Sequence, residues 1–369
     1  MLKEIDENGI LEIDLSIISN NFLTIKKALK KKVIPAAVVK ANAYGLGMEP
    51  ICEILYRNGC SVFFVANMLE GKNLRILLNK YKETNDTKIF VLNGPTEKNL
   101  YTYIDYNLIP VLNSIYQLSK WKEYVSSNNY ETNVAIHFDS GMNRLGFNKK
   151  EINQIKSNKD YLKKLNISLL MSHLSSAEEK NNIENYKQKE YFDKVIKYFP
   201  NCPASLANSA ATILNPDFHY NMVRTGIILY AGDNSLQNSL KLYNSISLKT
   251  HIIHINEINI NQSVGYGKTF RAKRKTLLGT IPIGYADGYP RNFSNAGFAY
   301  ISDVKVPVIG RVSMDLTILD ITDTKAHIGS EVILIGERIN IDDIASKGDT
   351  ISYEILTRLG PRYRRIYKK

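Results

Sequence analysis

Eight short apolar runs, separated by longer amphipathic stretches, constrain the fold of this chain more than any other sequence feature. Each run has the length of one buried strand, and the stretches between them have helical spacing, most clearly over residues 183–199. The runs cover residues 33–39, 61–66, 88–92, 108–112, 133–138, 167–173, 204–207 and 222–230. Regular alternation of strand and helix is typical of parallel β/α folds. Eight such units predict a (β/α)8 barrel of the TIM type, since the alternative, an open doubly wound sheet, does not usually need eight.

The pattern changes after residue 240. The remaining sequence is β-rich and interrupted by Gly, Pro and Asp, and helical spacing is nearly absent until residues 341–347. We therefore predict an α/β chain with a barrel over residues 11–240. A second, mainly antiparallel β domain is expected over residues 241–369, joined by residues 1–10. No low-complexity linker separates the two parts, so we expect them to pack firmly.

Composition excludes several function classes. Of 369 residues, 44% are hydrophobic and 23% charged, as in ordinary globular proteins. No apolar window reaches the roughly 18 residues of a membrane span. Residues 1–10 are charged and lack an apolar segment, so we expect no secretion signal. The three cysteines (Cys52, Cys60 and Cys202) lack metal-ligand spacing, which indicates free thiols, no bound metal and a cytoplasmic location. The net charge of +12 is scattered and no nucleic-acid motif is present, so we expect neither a nucleic-acid nor a membrane partner.

Residues able to do chemistry recur just after the predicted strands. They are Lys40, Tyr44, Arg144, His173, Asn208, Ser209 and Arg224. Each alone has an ordinary structural explanation, such as a strand-end lysine, a satisfied core histidine, a helix cap or a surface ion pair. In a barrel, however, the carboxyl ends of the strands meet at one face, where active sites are built. A lysine in such a pocket loses hydration, which lowers its pKa and frees the amine to act as nucleophile or base.

Five motifs are consistent with this interpretation and extend it to the whole chain. They are VVKANAYGLG around Lys40, GYG around Tyr266, GYADGYPR, GRVSMD and SYEILTRLGPR. Together and in this order they resemble the motifs of the alanine racemase family. The resemblance implies a pyridoxal 5'-phosphate enzyme that interconverts L- and D-alanine by two-base chemistry and supplies D-alanine for peptidoglycan. It also implies a homodimer with shared active sites.

The resemblance assigns roles residue by residue. Lys40 resembles the lysine that holds the cofactor covalently and acts as one base, and Tyr266 resembles the second base. Arg144 and Met314 resemble residues that bind the substrate carboxylate, and Tyr285 and Asp315 resemble residues of the access channel. The remaining cofactor-binding positions implied by the family pattern are Tyr44, His173, Asn208, Ser209, Arg224, Gly226, Ile227 and Tyr353.

Two positions depart from the family pattern. The family often has a histidine where this chain has Leu46, a peripheral position, and the second departure lies near Arg144. Seven residues before Arg144 the family commonly has a lysine, often carbamylated, and this chain has His137, which cannot become a carbamate. We expect the pKa of His137 to lie below its ordinary value of about 6.5, because a charged imidazole would repel Arg144. A bound anion or Asp139 would then supply the missing negative charge. KM for alanine is expected to rise as pH falls through the His137 titration.

Three alternatives remain open at this stage. A broad-specificity amino-acid racemase would share both fold and bases. A pyridoxal-phosphate decarboxylase of the same barrel type would be expected to lack the GYG and GRVSMD motifs. A pyridoxal-phosphate carrier protein would consist of the barrel alone, and residues 241–369 argue against it.

Overall fold

Eight parallel strands curl into a nearly closed barrel, which confirms the predicted fold. The computed structural model describes residues 8–81, 86–163, 165–230 and 240–369. The strand order is β8-β7-β6-β5-β4-β3-β2-β9, with β2 Ile34–Val38, β3 Val62–Val65, β4 Lys88–Val91, β5 Ile109–Leu112, β6 Asn133–His137, β7 Asn166–Met171, β8 Ala204–Ser205 and β9 Met222–Thr225. Backbone hydrogen bonds from Asn221 N to Ala204 O and from Arg224 N to Ala207 O, both 3.0 Å, join the last two strands.

Helices surround the barrel strands. They are α1 Leu15–Ala28, α2 Lys40–Tyr44, α3 Met48–Arg57, α4 Met68–Leu78, α5 Leu100–Asp105, α6 Ile115–Ser127, α7 Lys149–Ser157, α8 Ile183–Ile196, α9 Ser209–Leu214 and α10 Ile227–Tyr230. Asp14 caps α1, since its carboxylate accepts a hydrogen bond from Ile17 N at 2.9 Å. Within the described residues, no helix combines the length and apolarity needed to cross a membrane.

The eighth apolar run was wrongly predicted as one strand. Strand β9 ends at Thr225, and the rest of the run forms the short helix α10. All residues of the run are buried. Because the run is continuously apolar, its sequence cannot distinguish a buried strand from a buried helix. This break places Gly226 between a strand and a helix.

The C-terminal part is mainly antiparallel, as predicted. Its six-stranded sheet has the order β16-β15-β18-β10-β1-β19, beside a three-stranded sheet β11-β14-β17 and the hairpin β12-β13. The strands are β1 Ile10–Asp14, β10 Ile246–His251, β11 His254–Ile258, β12 Ser263–Val264, β13 Phe270–Arg271, β14 Thr276–Ile281, β15 Phe298–Ile301, β16 Val304–Pro307, β17 Thr317–Asp320, β18 Glu331–Ile335 and β19 Arg364–Lys368. Two helices, α11 Ile341–Lys347 and α12 Ser352–Arg358, lie before β19.

The first described strand, β1, is built into this second sheet. Strand β1 pairs antiparallel with β10 and parallel with β19. Residues 1–7, which we assigned to the same domain, lie outside the described part of the chain, and the boundaries at residues 10 and 240 stay a prediction. Buried side chains of β1, α1 and β10, such as Ile13, Phe22 and Leu248, belong to one continuous apolar core. The barrel and the β domain therefore share a core.

Element α2 is a left-handed turn rather than an ordinary helix. Ala41, Asn42, Ala43 and Tyr44 have φ angles of 53°, 55°, 52° and 57°. Side chains from outside the turn hold its backbone. The Glu70 carboxylate accepts a hydrogen bond from Ala41 N at 2.8 Å.

The far end of the turn is held by the C-terminal part of the chain. Arg365 Nη2 donates to Gly45 O at 3.0 Å, and Tyr367 Oη donates to Leu46 O at 2.9 Å. A Cβ on Gly45 would lie 2.7 Å from the carbonyl oxygen of Leu356 in α12. The turn that begins at Lys40 is thus fixed from both sides.

Replacing Gly45 by alanine should lower the thermal unfolding midpoint more than replacing Gly329. Both glycines have positive φ, 82° and 90°, but nothing lies within 4 Å of a Cβ on Gly329. Backbone strain alone costs about 1–2 kcal/mol in Gly329→Ala, whereas the added clash with Leu356 O raises the cost of Gly45→Ala to about 2–4 kcal/mol. Equal shifts for the two variants would show that the contact with α12 does not constrain the turn.

Candidate active site

A cavity of about 440 Å³ opens beside Lys40 at the carboxyl end of β2. It is lined by Lys40, Ala41, Tyr44, Ile351, Tyr353, Glu354 and Thr357. Burial lowers the pKa of Lys40, the positive charge of Arg144 lowers it further, and Glu70 partly opposes the shift. The amine of Lys40 is therefore easier to deprotonate than an exposed lysine, as the sequence predicted.

Hydroxyl and amide groups converge next to this cavity. Asn208 caps α9 by accepting from Ala211 N at 3.0 Å, which places Ser209 at the start of the helix. Gly226 N donates to Ser209 Oγ at 2.9 Å. A Cβ on Gly226 would lie 2.2 Å from Tyr44 Oη, so only glycine leaves room for this hydroxyl against the backbone of residue 226. Hydroxyl and backbone N–H donors grouped in this way suit an anion such as a phosphate group.

The aromatic ring of Tyr44 connects this cluster to the second domain. Its centroid lies 5.2 Å from that of Tyr230 and 5.9 Å from that of Tyr353, which belongs to α12. Ile227 begins α10 directly after Gly226 and is buried. Burial raises the pKa of Tyr44, so its hydroxyl keeps its proton and can donate a hydrogen bond.

Arg224 is buried on β9 and is anchored by neighbouring strands. Its Nη1 donates to Ser205 O at 3.0 Å and Ser205 Oγ at 2.6 Å, and its Nη2 donates to Ser172 O at 2.7 Å, Leu206 O at 3.3 Å and His173 Nδ1 at 3.3 Å. Within the described part of the chain, Nη1 and Nη2 donate all of these hydrogen bonds. The Nε–H group of Arg224 donates none of them and is available to a ligand. Burial lowers the pKa of Arg224 to about 9, and the guanidinium stays charged at neutral pH.

His173 is neutral beside Arg224. Burial lowers its pKa well below the ordinary value, and the charges of Arg224 and Arg144 lower it further. Because a guanidinium only donates, His173 Nδ1 accepts the bond from Arg224 and its proton sits on Nε2.

His137 is also neutral, as predicted, and its tautomer is fixed by Asn113. The amide nitrogen of Asn113 donates to Leu92 O and Val111 O, both at 2.9 Å, so its oxygen must accept from His137 Nδ1 at 2.8 Å. Burial, then the charge of Arg224, lowers the pKa of His137 to about 3. A pKa near 3 places this titration far below neutral pH, and the rise of KM through it stays a prediction.

Asp139 shapes the loop that leads to Arg144. Its Oδ1 accepts hydrogen bonds from the backbone N–H groups of Gly141, Met142 and Asn143 at 2.9, 2.9 and 3.1 Å. That oxygen is thereby committed to the loop backbone. The Arg144 side chain is exposed at the rim, and its charge lowers the pKa of Lys40, His137 and His173.

The other predicted residues form a second group on the β domain. Tyr266 is 72% exposed, and Met314 and Tyr285 are also exposed. The loops of this group touch, since Tyr285 N donates to Ser313 O at 3.0 Å and Ala286 N donates to Met314 O at 2.9 Å. The cavity beside Lys40 and the cluster of Tyr44, Ser209 and Gly226 therefore lie at the barrel mouth. Exposed residues of the β domain include Tyr266, Met314, Tyr285 and Asp315.

Sequence reasoning missed residues that support these groups. Glu70 accepts hydrogen bonds from Ala41 N and Ala66 N, both at 2.8 Å. Asn113 fixes the tautomer of His137. Neither residue belongs to a motif that would identify it. Arg362 closes the SYEILTRLGPR motif, of which only Tyr353 was assigned a role. Its two ion pairs with carboxylates could not be found from the motif itself.

The fold and site define a barrel enzyme with a lysine of lowered pKa beside a cluster suited to phosphate. Comparison with known sequences and structures names the family. The family descriptions "Alanine racemase, N-terminal domain" and "Alanine racemase, C-terminal domain" match residues 13–234 and 245–367. The chain belongs to the alanine racemase family.

Individual relatives match almost the whole chain. Alanine racemase from Rickettsia canadensis is 42% identical over 362 residues, covering 97% of this chain and 99% of the relative. The crystal structure of alanine racemase from Bartonella henselae with covalently bound pyridoxal phosphate superposes with a TM-score of 0.92 at 35% identity, covering 97% and 99% of the two chains. Biosynthetic alanine racemase from Pseudomonas aeruginosa superposes with a TM-score of 0.87 at 29% identity, covering 98% and 99%.

The buried neutral His137 should make stability depend on acid pH. Between about pH 6.5 and pH 3 the unfolded chain binds a proton that the folded His137 does not, so the free energy of unfolding falls as pH falls through this window. Above about pH 6.5 this contribution to stability is fully present. His137→Asn should reduce the slope by about 1.4 kcal/mol per pH unit.

Urea unfolding from pH 4 upward measures this slope, with the same substitution at the exposed His254 as the control for mutagenesis. An unchanged slope in His137→Asn would contradict the assignment of a neutral buried imidazole.

Proposed function

We propose that this protein is an alanine racemase that interconverts L- and D-alanine with pyridoxal 5'-phosphate held by Lys40. The observation that carries the proposal is the placement of Lys40, with its lowered pKa, beside the hydroxyl and amide cluster of Tyr44, Ser209 and Gly226. Membership of the family and 42% identity to Rickettsia canadensis alanine racemase support the same activity.

The residues at the barrel mouth fit this cofactor. The amine of Lys40 suits its aldehyde, and the cluster around Ser209 suits its phosphate. The space at Gly226, which a Cβ would fill, keeps the Tyr44 hydroxyl in the cluster. The Nε–H of Arg224 suits its ring nitrogen. When bound, the cofactor supplies an electron-withdrawing ring that acidifies the α-proton of an amino acid.

Proton transfer falls to two residues on opposite faces of the substrate. Lys40 is available as a base because burial and Arg144 lower its pKa. Tyr266 returns or removes the proton at the other face. In the direction set by the family resemblance, Lys40 serves the D face and Tyr266 the L face.

Positively charged residues hold the ligands. Arg144 binds the substrate carboxylate at the rim, helped by the backbone N–H of Met314. Arg224 keeps its proton at neutral pH, so it donates a hydrogen bond to its ligand and does not transfer a proton. The neutral state of His137 and His173 limits repulsion among these cations.

The active site is completed by a second copy of the chain in a homodimer. Tyr266 is 72% exposed in the single chain, and a base that works away from water must be covered. In a two-fold dimer, the exposed surface of one subunit that carries Tyr266 and Met314 can cover the Lys40 cavity of the other subunit.

We also propose a cytoplasmic location and a role in supplying D-alanine for peptidoglycan. The buried free thiols of Cys52 and Cys60 support the location.

Borohydride treatment of the pyridoxal-phosphate-loaded protein should fix the pyridoxyl group on Lys40. Peptide mapping by mass spectrometry identifies the labelled lysine, and Lys40→Ala is the matched negative control. The rate of L-alanine racemisation by Lys40→Ala should also fall by about 10³-fold or more, since this variant lacks one base. Label on another lysine would overturn the assignment.

Other L-amino acids assayed beside L-alanine separate the two racemase hypotheses. Turnover confined to alanine supports the proposal, and comparable rates with several amino acids would make the protein a broad-specificity racemase.

A further inference from the structure

Arg362 links two loops of the β domain through two carboxylates. Its Nε lies 2.7 Å from Asp287 Oδ1, and its Nη1 lies 2.8 Å from Asp315 Oδ1. Asp287 is fully buried, and its other oxygen accepts from Gly284 N at 2.9 Å. One guanidinium therefore connects the turn after Tyr285 to the residue after Met314.

The two loops are already in close backbone contact. A Cβ on Gly284 would lie 2.3 Å from Ser313 O and 2.4 Å from Met314 O, so the loops pack without room for a side chain. The amides of Tyr285 and Ala286 donate to these same carbonyl groups. Any movement of Asp315 away from Arg362 would act directly on the backbone of Met314.

We propose that Arg362 is a positioning residue that clamps the Tyr285 and Met314 loops at the geometry required by the substrate. The inference rests on the proposed function, since Met314 is assigned there to the substrate carboxylate. Arg362 itself touches Asp287 and Asp315, and it acts through them.

A guanidinium suits this geometry. Its Nη1 donates a hydrogen bond to Asp315 Oδ1 at 2.8 Å, and its Nε makes an ion-pair contact of 2.7 Å with Asp287 Oδ1 that lacks hydrogen-bond geometry. A lysine ammonium is a single point charge and cannot reproduce this planar bridge. It can still compensate the buried charge of Asp287, which would otherwise be left without a cation and destabilise the fold.

This difference defines the test. Arg362→Lys and Asp315→Asn each break the outer half of the clamp and retain a cation beside Asp287. Arg274→Lys is the matched control, because Arg274 pairs with Asp323 through two contacts of 2.9 and 2.5 Å elsewhere in the same domain. The loaded enzyme is used throughout, with hydrogen exchange of the Tyr285 and Ala286 amides as a readout that does not depend on activity.

We expect faster exchange of these two amides in Arg362→Lys and in Asp315→Asn, with exchange in Arg274→Lys as in the wild type. KM for L-alanine should rise about tenfold in each clamp variant, with a smaller change in kcat, because substrate positioning is lost. The double variant Arg362→Lys with Asp315→Asn should be no worse than either single variant, since both remove one interaction.

Wild-type exchange rates at both amides in the clamp variants would overturn the proposal. Additive losses in the double variant would also overturn it, because they would mean that Asp315 acts on the substrate independently of Arg362. If the wild-type protein did not racemise alanine, the proposed function would fail while the exchange measurement would still decide whether the clamp exists.

Discussion

Four consecutive non-glycine residues in the left-handed conformation form the constraint on which the Lys40 site depends. Each costs about 1–2 kcal/mol relative to ordinary backbone. The turn persists because Glu70, Arg365 and Tyr367 bond its backbone and because Tyr44 is buried. Strain of this kind survives only where the surrounding structure over-determines it, and it is found preferentially at functional sites.

The turn is also a point of contact between the two domains. The groups that hold it belong to the barrel on one side and to α12 and β19 on the other. Tyr353 of α12 packs near the ring of Tyr44 and lines the cavity beside Lys40. The C-terminal part is therefore needed to build the barrel's own site as well as to present Tyr266.

The second requirement of the site is that its two histidines carry no charge. The charges of Arg144 and Arg224 act on both imidazoles, and the charge of Lys40 acts on His173 as well. Burial and the surrounding cations hold both imidazoles neutral, and Asn113 fixes the tautomer of His137. The lysine and the arginines of the site therefore carry their charges without further repulsion from protonated histidines.

Much of the fold followed from the sequence because the strand periodicity is regular and the carboxyl ends of barrel strands meet. Lys40, Ser209 and Arg224 could be placed on the rim by that rule alone. Other features depend on contacts between residues distant in sequence, which no local pattern encodes. The helix Ile227–Tyr230, the Asn113–His137 bond and the Arg362 clamp are of this kind.

Mixing inactive Lys40→Ala and Tyr266→Phe subunits tests most directly whether each site combines the barrel of one chain with the β domain of another. In each mixed dimer one site regains both bases, so random exchange of subunits should restore about a quarter of wild-type activity. Heterodimers that demonstrably form and remain inactive would show that both bases belong to one chain.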